Sequence, residues 1–143
     1  MQHHRSHGFS LLELMIVVTV VAILANIAYP SYIAHIQSAR REEAKKALLE
    51  AAQKMESYYA MNLKYTGATY AQSNSTIFPT QVPATGKANY FIKITSASTT
   101  TYTLTAQRNT SGTQAKDPCG DMVLSRDGTK SVTNASYTAD QCW

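Results

Sequence analysis

The sequence predicts an α+β fold: a long, kinked N-terminal helix packed through its C-terminal half on a roughly four-stranded antiparallel sheet. Three observations lead there. Residues from Phe9 to Tyr29 form an almost uncharged apolar run. A helical apolar stripe continues beyond Pro30, and after residue 89 short alternating segments are separated by turn residues.

The apolar run comes first. Glu13 is its one formal charge, and the polar exceptions Ser10, Thr19 and Asn26 can hydrogen-bond back to a helix. At about 1.5 Å per residue the run spans roughly 30 Å, the hydrocarbon thickness of a bilayer. An ionised acid at mid-bilayer costs on the order of 2.5 kcal/mol or more, so Glu13 needs a partner, a shallow depth or a neutral form. A cut between Gly8 and Phe9 would place a new α-amino group four residues from Glu13, on the same or another copy.

The helical pattern continues from about Ser31 to Met61. Ala44, Leu48, Ala51, Met55 and Tyr59 recur every three or four residues, with Ala47, Ala52 and Tyr58 on the flanks, which is the stripe of a helix packed on its own domain. Arg40, Arg41, Glu42, Glu43, Lys45, Lys46, Glu50, Lys54 and Glu56 cover the other face and read as solvated. Glu42 with Lys46 and Glu50 with Lys54 stand in the favoured acid-first order. Pro30 removes a backbone donor and crowds the carbonyl of Asn26, which predicts a kink. Residues 66–89, rich in Thr, Ser, Gly, Pro and Asn, read as a long surface loop.

Strands follow. Tyr90, Ile92 and Ile94 alternate with Phe91 and Lys93, and Tyr102, Leu104 and Ala106 with Thr103, Thr105 and Gln107. Residues 122–125 and 130–132 read as a hairpin in which Asp127-Gly128 supplies the positive-φ turn.

The order Gly8-Phe9-Ser10-Leu11-Leu12-Glu13, then an apolar run, Pro30 and Tyr32, resembles the class III signal of the type IV pilin family and its pseudopilins. The resemblance implies that a prepilin peptidase cuts after Gly8 and methylates Phe9, and that Glu13 drives assembly by pairing with the Phe9 amine of a neighbouring subunit. It divides the chain into a leader (1–8), a membrane and assembly helix (9–30) and a globular head (31–143) of the type IV pilin fold. Ala22 departs from the pattern, because many members carry a glycine there that lets the helix loosen in the filament. The helix exit, with Met55, Glu56, Ser57, Tyr58 and Tyr59 before Tyr65-Thr66, is similar to that of PilE-type minor pilins. So is the tail, with Cys119-Gly120-Asp121, Asp127-Gly128 and Cys142-Trp143.

The implied protein is a structural subunit, a minor pilin of a type IV pilus. Its partners would be other pilin subunits, the prepilin peptidase and the inner-membrane assembly machinery. It would wait in the inner membrane with its head in the periplasm, then pass to the pilus at the cell surface. Two readings stand beside this one: a pseudopilin of type II secretion, and a pilin that binds DNA or a surface receptor through its loop or disulfide region. An ordinary secretory signal cut among the small residues from Ala22 to Ala28 is a third alternative, opposed by Glu13 in the apolar core and by the helical continuation.

Composition narrows the function classes. The net charge is +4, and loss of the leader with Arg5 leaves a mildly basic protein, too weak a balance by itself to argue for nucleic acid. Cys119 and Cys142 have no accompanying His, since all four His lie at or before His35, so they do not make a zinc site. Beyond a membrane-targeting segment the oxidising periplasm favours a disulfide between them, and by chain entropy such a loop contributes roughly 3 kcal/mol. No paired nucleophile and base, Gly-x-Ser-x-Gly elbow or phosphate-binding glycine loop is present, and neither an enzyme nor a cofactor is expected. Asp117, Asp121 and Asp127 are the one acidic group to weigh for calcium. Their spacing does not match an EF-hand loop, and hairpin ends explain them better. Asn74, Asn109 and Asn134 each begin an Asn-x-Ser/Thr triplet, which a chain this rich in Ser and Thr produces by chance.

Overall fold

In the computed structural model, residues 9–68 and 77–143 are described. The expected leader, with Gly8, and the stretch 69–76 of the expected loop, with Asn74, lie outside the described residues. The chain divides into two units, Met1–His35 and Ile36–Trp143. Helix α1, Leu11–Asn62, runs through both.

In the first unit α1 stands as a helix with every residue from 9 to 32 exposed. Its polar side chains turn back on the backbone as their residue types allow. Thr19 Oγ1 donates to the Met15 carbonyl at 2.8 Å and Asn26 Nδ2 to the Ala22 carbonyl at 3.1 Å. Pro30 lies inside α1.

In the second unit a five-stranded antiparallel sheet is ordered as the chain runs. The strands are β1 (Gln81–Val82), β2 (Tyr90–Ala97), β3 (Tyr102–Arg108), β4 (Asp121–Ser125) and β5 (Lys130–Thr133). Each pairs only with its chain neighbours, so no long crossover is needed. The expectation of about four strands omits β1, which pairs two residues with Tyr90 and Phe91. Two residues beside the Pro83–Gly86 turn are too few to show alternation.

Alternation decides the core. Tyr90, Ile92 and Ile94 of β2 and Tyr102, Leu104 and Ala106 of β3 are buried, as are Met122 and Leu124 of β4. They meet Ala44, Leu48, Ala51 and Met55 of α1 in one apolar cluster. Each large aliphatic side chain buried this way contributes on the order of 1.5–3 kcal/mol. The β4–β5 turn differs in detail from the expected one. Gly128 alone has positive φ, +84°, Gly128 N–H donates to the Ser125 carbonyl, and Ser125 N–H donates to that of Thr129. This is a type I turn closed by a glycine bulge. Asp127 serves it by accepting from the Thr129 N–H at 2.9 Å, a bond that holds its carboxyl below the ordinary carboxylate range.

The charged face of α1 is only partly solvated, which corrects the reading from sequence. Arg41 turns inward to Asp117 at 2.6 Å, where the carboxylate is fully buried. Lys45 pairs with Glu42 at 2.7 Å, one turn back, and also donates to the Trp143 carbonyl. Asp117 gathers further donors: Tyr90 Oη at 3.0 Å, Gln114 Nε2 at 2.5 Å and the Cys119 N–H at 3.0 Å. Asp121 accepts from the Arg108 N–H and from Asn134 Nδ2. These bonds use both carboxylates in holding the fold. Among the described residues no three His, Cys, Asp or Glu come together as a metal site.

Cys119 and Cys142 form the disulfide, with their Cα atoms 5.6 Å apart. Between them, Gly120 (φ +60°) is pressed so closely on β5 that a Cβ would lie 2.3 Å from the Thr133 carbonyl oxygen. The short helix α2, Ala139–Cys142, brings Trp143 to the free edge of β5, where its Nε1 donates to the Ser131 carbonyl at 3.0 Å. That bond helps to cover an edge that could otherwise pair with another strand.

At the helix exit Leu63 takes positive φ, +53°, and its N–H donates to the Tyr59 carbonyl, a left-handed cap. Tyr59 stacks on Tyr65 at 4.7 Å, and Tyr65 meets Tyr102 edge-on at 4.8 Å. Arg126 lies over both Tyr59 and Tyr65 and donates from Nε to the Tyr65 hydroxyl.

Two predictions follow from this packing. Leu48 is fully buried and its neighbour Leu49 is half exposed. Leu48→Ala should cost about 2–5 kcal/mol and Leu49→Ala within about 0.5 kcal/mol. Urea unfolding of the full chain in detergent, followed by tyrosine fluorescence, tests the contrast; equal costs would refute this orientation of α1. Burial first, and the neighbouring Asp117 second, raise the Tyr90 phenol well above its ordinary pKa of 10.0. A raised folded-state value means stability is complete below the unfolded value and falls as pH rises past it. The melting temperature should therefore drop above about pH 10, and more gently in Tyr90→Phe, which already loses about 1 kcal/mol at neutral pH with its hydrogen bond. Identical alkaline slopes would show that Tyr90 is not the group responsible.

Candidate functional site

Two surfaces offer function. One is the apolar face of residues 9–32. Phe9 is 79 % exposed, and Glu13 is the acid in the first turn of α1, where the positive end of the helix dipole favours a carboxylate. The Ser10 carbonyl accepts from the Leu14 N–H, so the helical bonding begins just before Glu13. Ala25, Ala28, Tyr29 and Tyr32 line a shallow apolar groove near the proline. A helix with this length and composition can cross a membrane.

The other surface is a cavity of about 320 Å³ in the second unit, lined by Arg40, Lys87, Asn89, Asn109, Thr113 and Gln114, with Ala88 and Gly112 between them. Its volume lies within the roughly 300–1,000 Å³ usual for small-ligand sites. The walls are local consequences of the fold. Beyond the paired ends of β2 and β3, the Asn109 N–H donates to the Asn89 carbonyl and Asn109 Nδ2 to the Ala88 carbonyl. Asn109 Oδ1 accepts from the Ser111 N–H at 2.9 Å, an Asx turn that starts the connection to β4. A short 3₁₀ helix, Thr113–Lys116, then brings Thr113 against α1. The Thr113 carbonyl accepts from Gln37 Nε2 at 2.8 Å and its hydroxyl from Arg40.

Gln114 is 1 % exposed. Its Nε2 faces Asp117 Oδ2, the Tyr90 hydroxyl at 2.8 Å and the Gln37 carbonyl at 3.3 Å. Its Oε1 is, among the described residues, a buried polar atom with no partner. Lys87 is exposed and in no ion pair among the described residues, whereas Arg41, Lys45, Arg108 and Arg126 each face a carboxylate. The cavity is therefore lined by two cations and three side-chain amides, of which Gln114 is almost wholly enclosed. Among the described residues that line it, no nucleophile has a base beside it.

Of the residues singled out from sequence, Cys119 and Cys142 are joined, Glu13 and Pro30 lie on α1, and Phe9 lies just before its first residue, Leu11. Gly8 falls outside the described residues. His35 is exposed on α1. Sequence reading missed Arg40, Lys87 and Gln114 as a group, because three turns of topology separate them. The one local signal was the unusual run Gly86-Lys87-Ala88-Asn89, a cation and an amide at the mouth of a strand.

Comparison with known proteins gives these surfaces a context. Residues 3–29 match the prokaryotic N-terminal methylation motif. Residues 30–123 match the family model described as type IV minor pilin ComP, DNA uptake sequence receptor. The crystal structure of the non-core minor pilin PilV of Neisseria meningitidis aligns over 72 % of this chain and 94 % of its own, at 24 % identity and a TM-score of 0.54, a likeness of fold. A type IV pilin from Shewanella oneidensis aligns over 75 % of this chain and 97 % of its own, at 24 % identity and a TM-score of 0.46. With an N-terminal methylation motif, a long helix on an antiparallel sheet and a family match over well more than half its length, the chain is a minor type IV pilin and belongs to the ComP family.

Proposed function

We propose that this minor pilin is cut between Gly8 and Phe9, passes from membrane to pilus on its apolar helix, and presents its head as a receptor for DNA. The match of residues 30–123 to a family described as a DNA uptake sequence receptor carries the last part. The charge of the second unit supports it. After His35 there are twelve Lys and Arg against eight Asp and Glu, and Lys87 and Arg40 meet at one cavity with amide donors beside them. Cations spaced by hydrogen-bonding side chains suit a phosphate backbone.

Assembly follows from the exposed helix. Lipid tails are as apolar as Val and Leu, so moving residues 9–30 from bilayer to filament gains little hydrophobic free energy. Close packing and specific polar pairs must then select the filament. Glu13 serves as that pair: its carboxylate meets the new amine of Phe9 on a neighbouring subunit, compensating both charges and setting axial register. The peptidase and the inner-membrane assembly machinery would act on residues 1–30, with Pro30 as the bend and residues 31–143 as a head in the periplasm. In this reading the protein assembles and binds, without catalysing a reaction.

Glu13→Ala should remain in the membrane fraction and be absent from sheared pili, while Gly8→Ala should keep its leader and also stay out of pili. Immunoblots of both fractions decide this, and normal incorporation of either variant would refute the assembly scheme. For the head, DNA affinity should fall with salt at a logarithmic slope of about −0.9 per phosphate neutralised. Lys87→Ala should make that slope shallower by about one unit. Filter binding with the full chain in detergent reads it; flat, negligible binding would remove the DNA role.

A further inference from the structure

We propose that, before assembly, two copies of the chain pair side by side in the membrane through Asn26, each side-chain amide bonding to the other's at the same depth. This rests on the membrane placement of residues 9–30 given above and is independent of the DNA reading.

Asn26 has more hydrogen-bonding capacity than its own helix can use. One side-chain N–H goes to the Ala22 carbonyl at 3.1 Å. The second N–H and Oδ1 remain, and the backbone N–H groups of the helix around them are committed to its own ladder. Pro30, four residues on inside α1, has no N–H to return to the Asn26 carbonyl. One exposed residue within the apolar run thus carries a donor and two acceptors that face lipid. In hydrocarbon such groups are disfavoured, and a neighbouring helix is the source of partners. Thr19 differs, because its one hydroxyl proton already goes to the Met15 carbonyl.

The face around Asn26 is shaped for a helix. Met15, Thr19, Ala22, Asn26 and Tyr29 follow one another at spacings of four, three, four and three, the seam of two parallel helices. All five are exposed. Thr19 and Ala22 are small and let two backbones approach closely. Glu13 lies about 140° round the helix from Asn26, so a partner on this seam leaves the carboxylate free.

The chemistry selects a second copy. A primary amide is donor and acceptor at once and therefore complements itself. Copies of one chain enter the membrane in the same direction and to the same depth, which sets Asn26 opposite Asn26 in a two-fold pair. A single buried Asn on such a seam fixes register and partner number. Pairing of Glu13 with a neighbour's Phe9 amine instead staggers two chains by four residues, roughly 6 Å, and parts the amides. The dimer is therefore a state of the membrane pool, given up on entry to the filament.

The test uses the full chain in phospholipid vesicles, with retention after an alkaline carbonate wash as the check of insertion, and repeats the cross-linking in cell membranes. Ala22→Cys should give an oxidation-linked dimer, and Ala28→Cys, about 120° round the helix, should not. For affinity, Met61→Cys is exposed on the head and the native cysteines are joined, so it alone takes a donor or acceptor dye, and energy transfer is followed as lipid is added. Asn26→Leu should need about threefold to tenfold more protein per lipid for the same transfer. Asn26→Gln, which keeps the amide, should recover most of that loss. Equal association of the Leu variant and its parent, or linkage at Ala28→Cys as strong as at Ala22→Cys, would overturn the proposal. So would monomers at every protein-to-lipid ratio, or linkage confined to cell membranes that hold other pilins, which would give the seam to a different helix. Loss of the chain to the carbonate supernatant would remove the membrane placement as well.

Discussion

The head depends on one buried carboxylate. Asp117 is fully enclosed and receives Arg41 from α1, Tyr90 from β2, Gln114 from the 3₁₀ helix and a backbone N–H from the disulfide loop. Removing such a group from water costs several kcal/mol unless its lone pairs are met by well-placed donors. Here four donors meet it, each from a different part of the second unit. The arrangement specifies which segments come together, a task that a small aliphatic core cannot perform alone. The disulfide beside it limits the freedom of the same loop, and Gly120 permits the close approach to β5 that brings them into place.

The same carboxylate holds one residue of the cavity wall, Gln114. By taking the amide nitrogen of Gln114 it fixes which end of that amide is which and leaves the oxygen enclosed, without a partner among the described residues. Arg41 is committed to Asp117, whereas Arg40, one residue earlier and roughly 100° around the helix, turns to Thr113 at the cavity. Adjacent arginines thus separate into an internal and an external role through helical geometry.

The two units answer different demands. Beyond residue 35 apolar groups are buried by alternation in the strands and a three-four stripe in the helix. Before it, apolar groups face outward all round the helix, which suits lipid or other helices and no water-exposed state. A single charge at Glu13 gives that otherwise uniform surface a polar landmark. The meander topology lets the head close with neighbour-to-neighbour pairing, while Trp143 covers the last strand's edge.

Much of the fold was legible in the residues. The apolar run, the Gly8–Glu13 signal, the stripe from Ala44 to Met55 and the alternation of β2 and β3 are short-range patterns, and a period of 3.6 or 2 states which side is buried. β1 was not legible, because two residues carry no period. Nor was the inward turn of Arg41: a charged side chain reads as solvated until a buried partner 76 positions away is known. The cavity escaped for the same reason, since Arg40, Lys87, Asn109 and Gln114 converge only after β2 and β3 pair and the 3₁₀ helix docks on α1. The sequence by itself determined the helix, its membrane-compatible half, the core face and the family signal, because each is written in neighbouring residues. The tertiary structure alone decided which charges are buried, which acceptor is unsatisfied and where a ligand could bind, because those depend on distances between segments far apart in the chain.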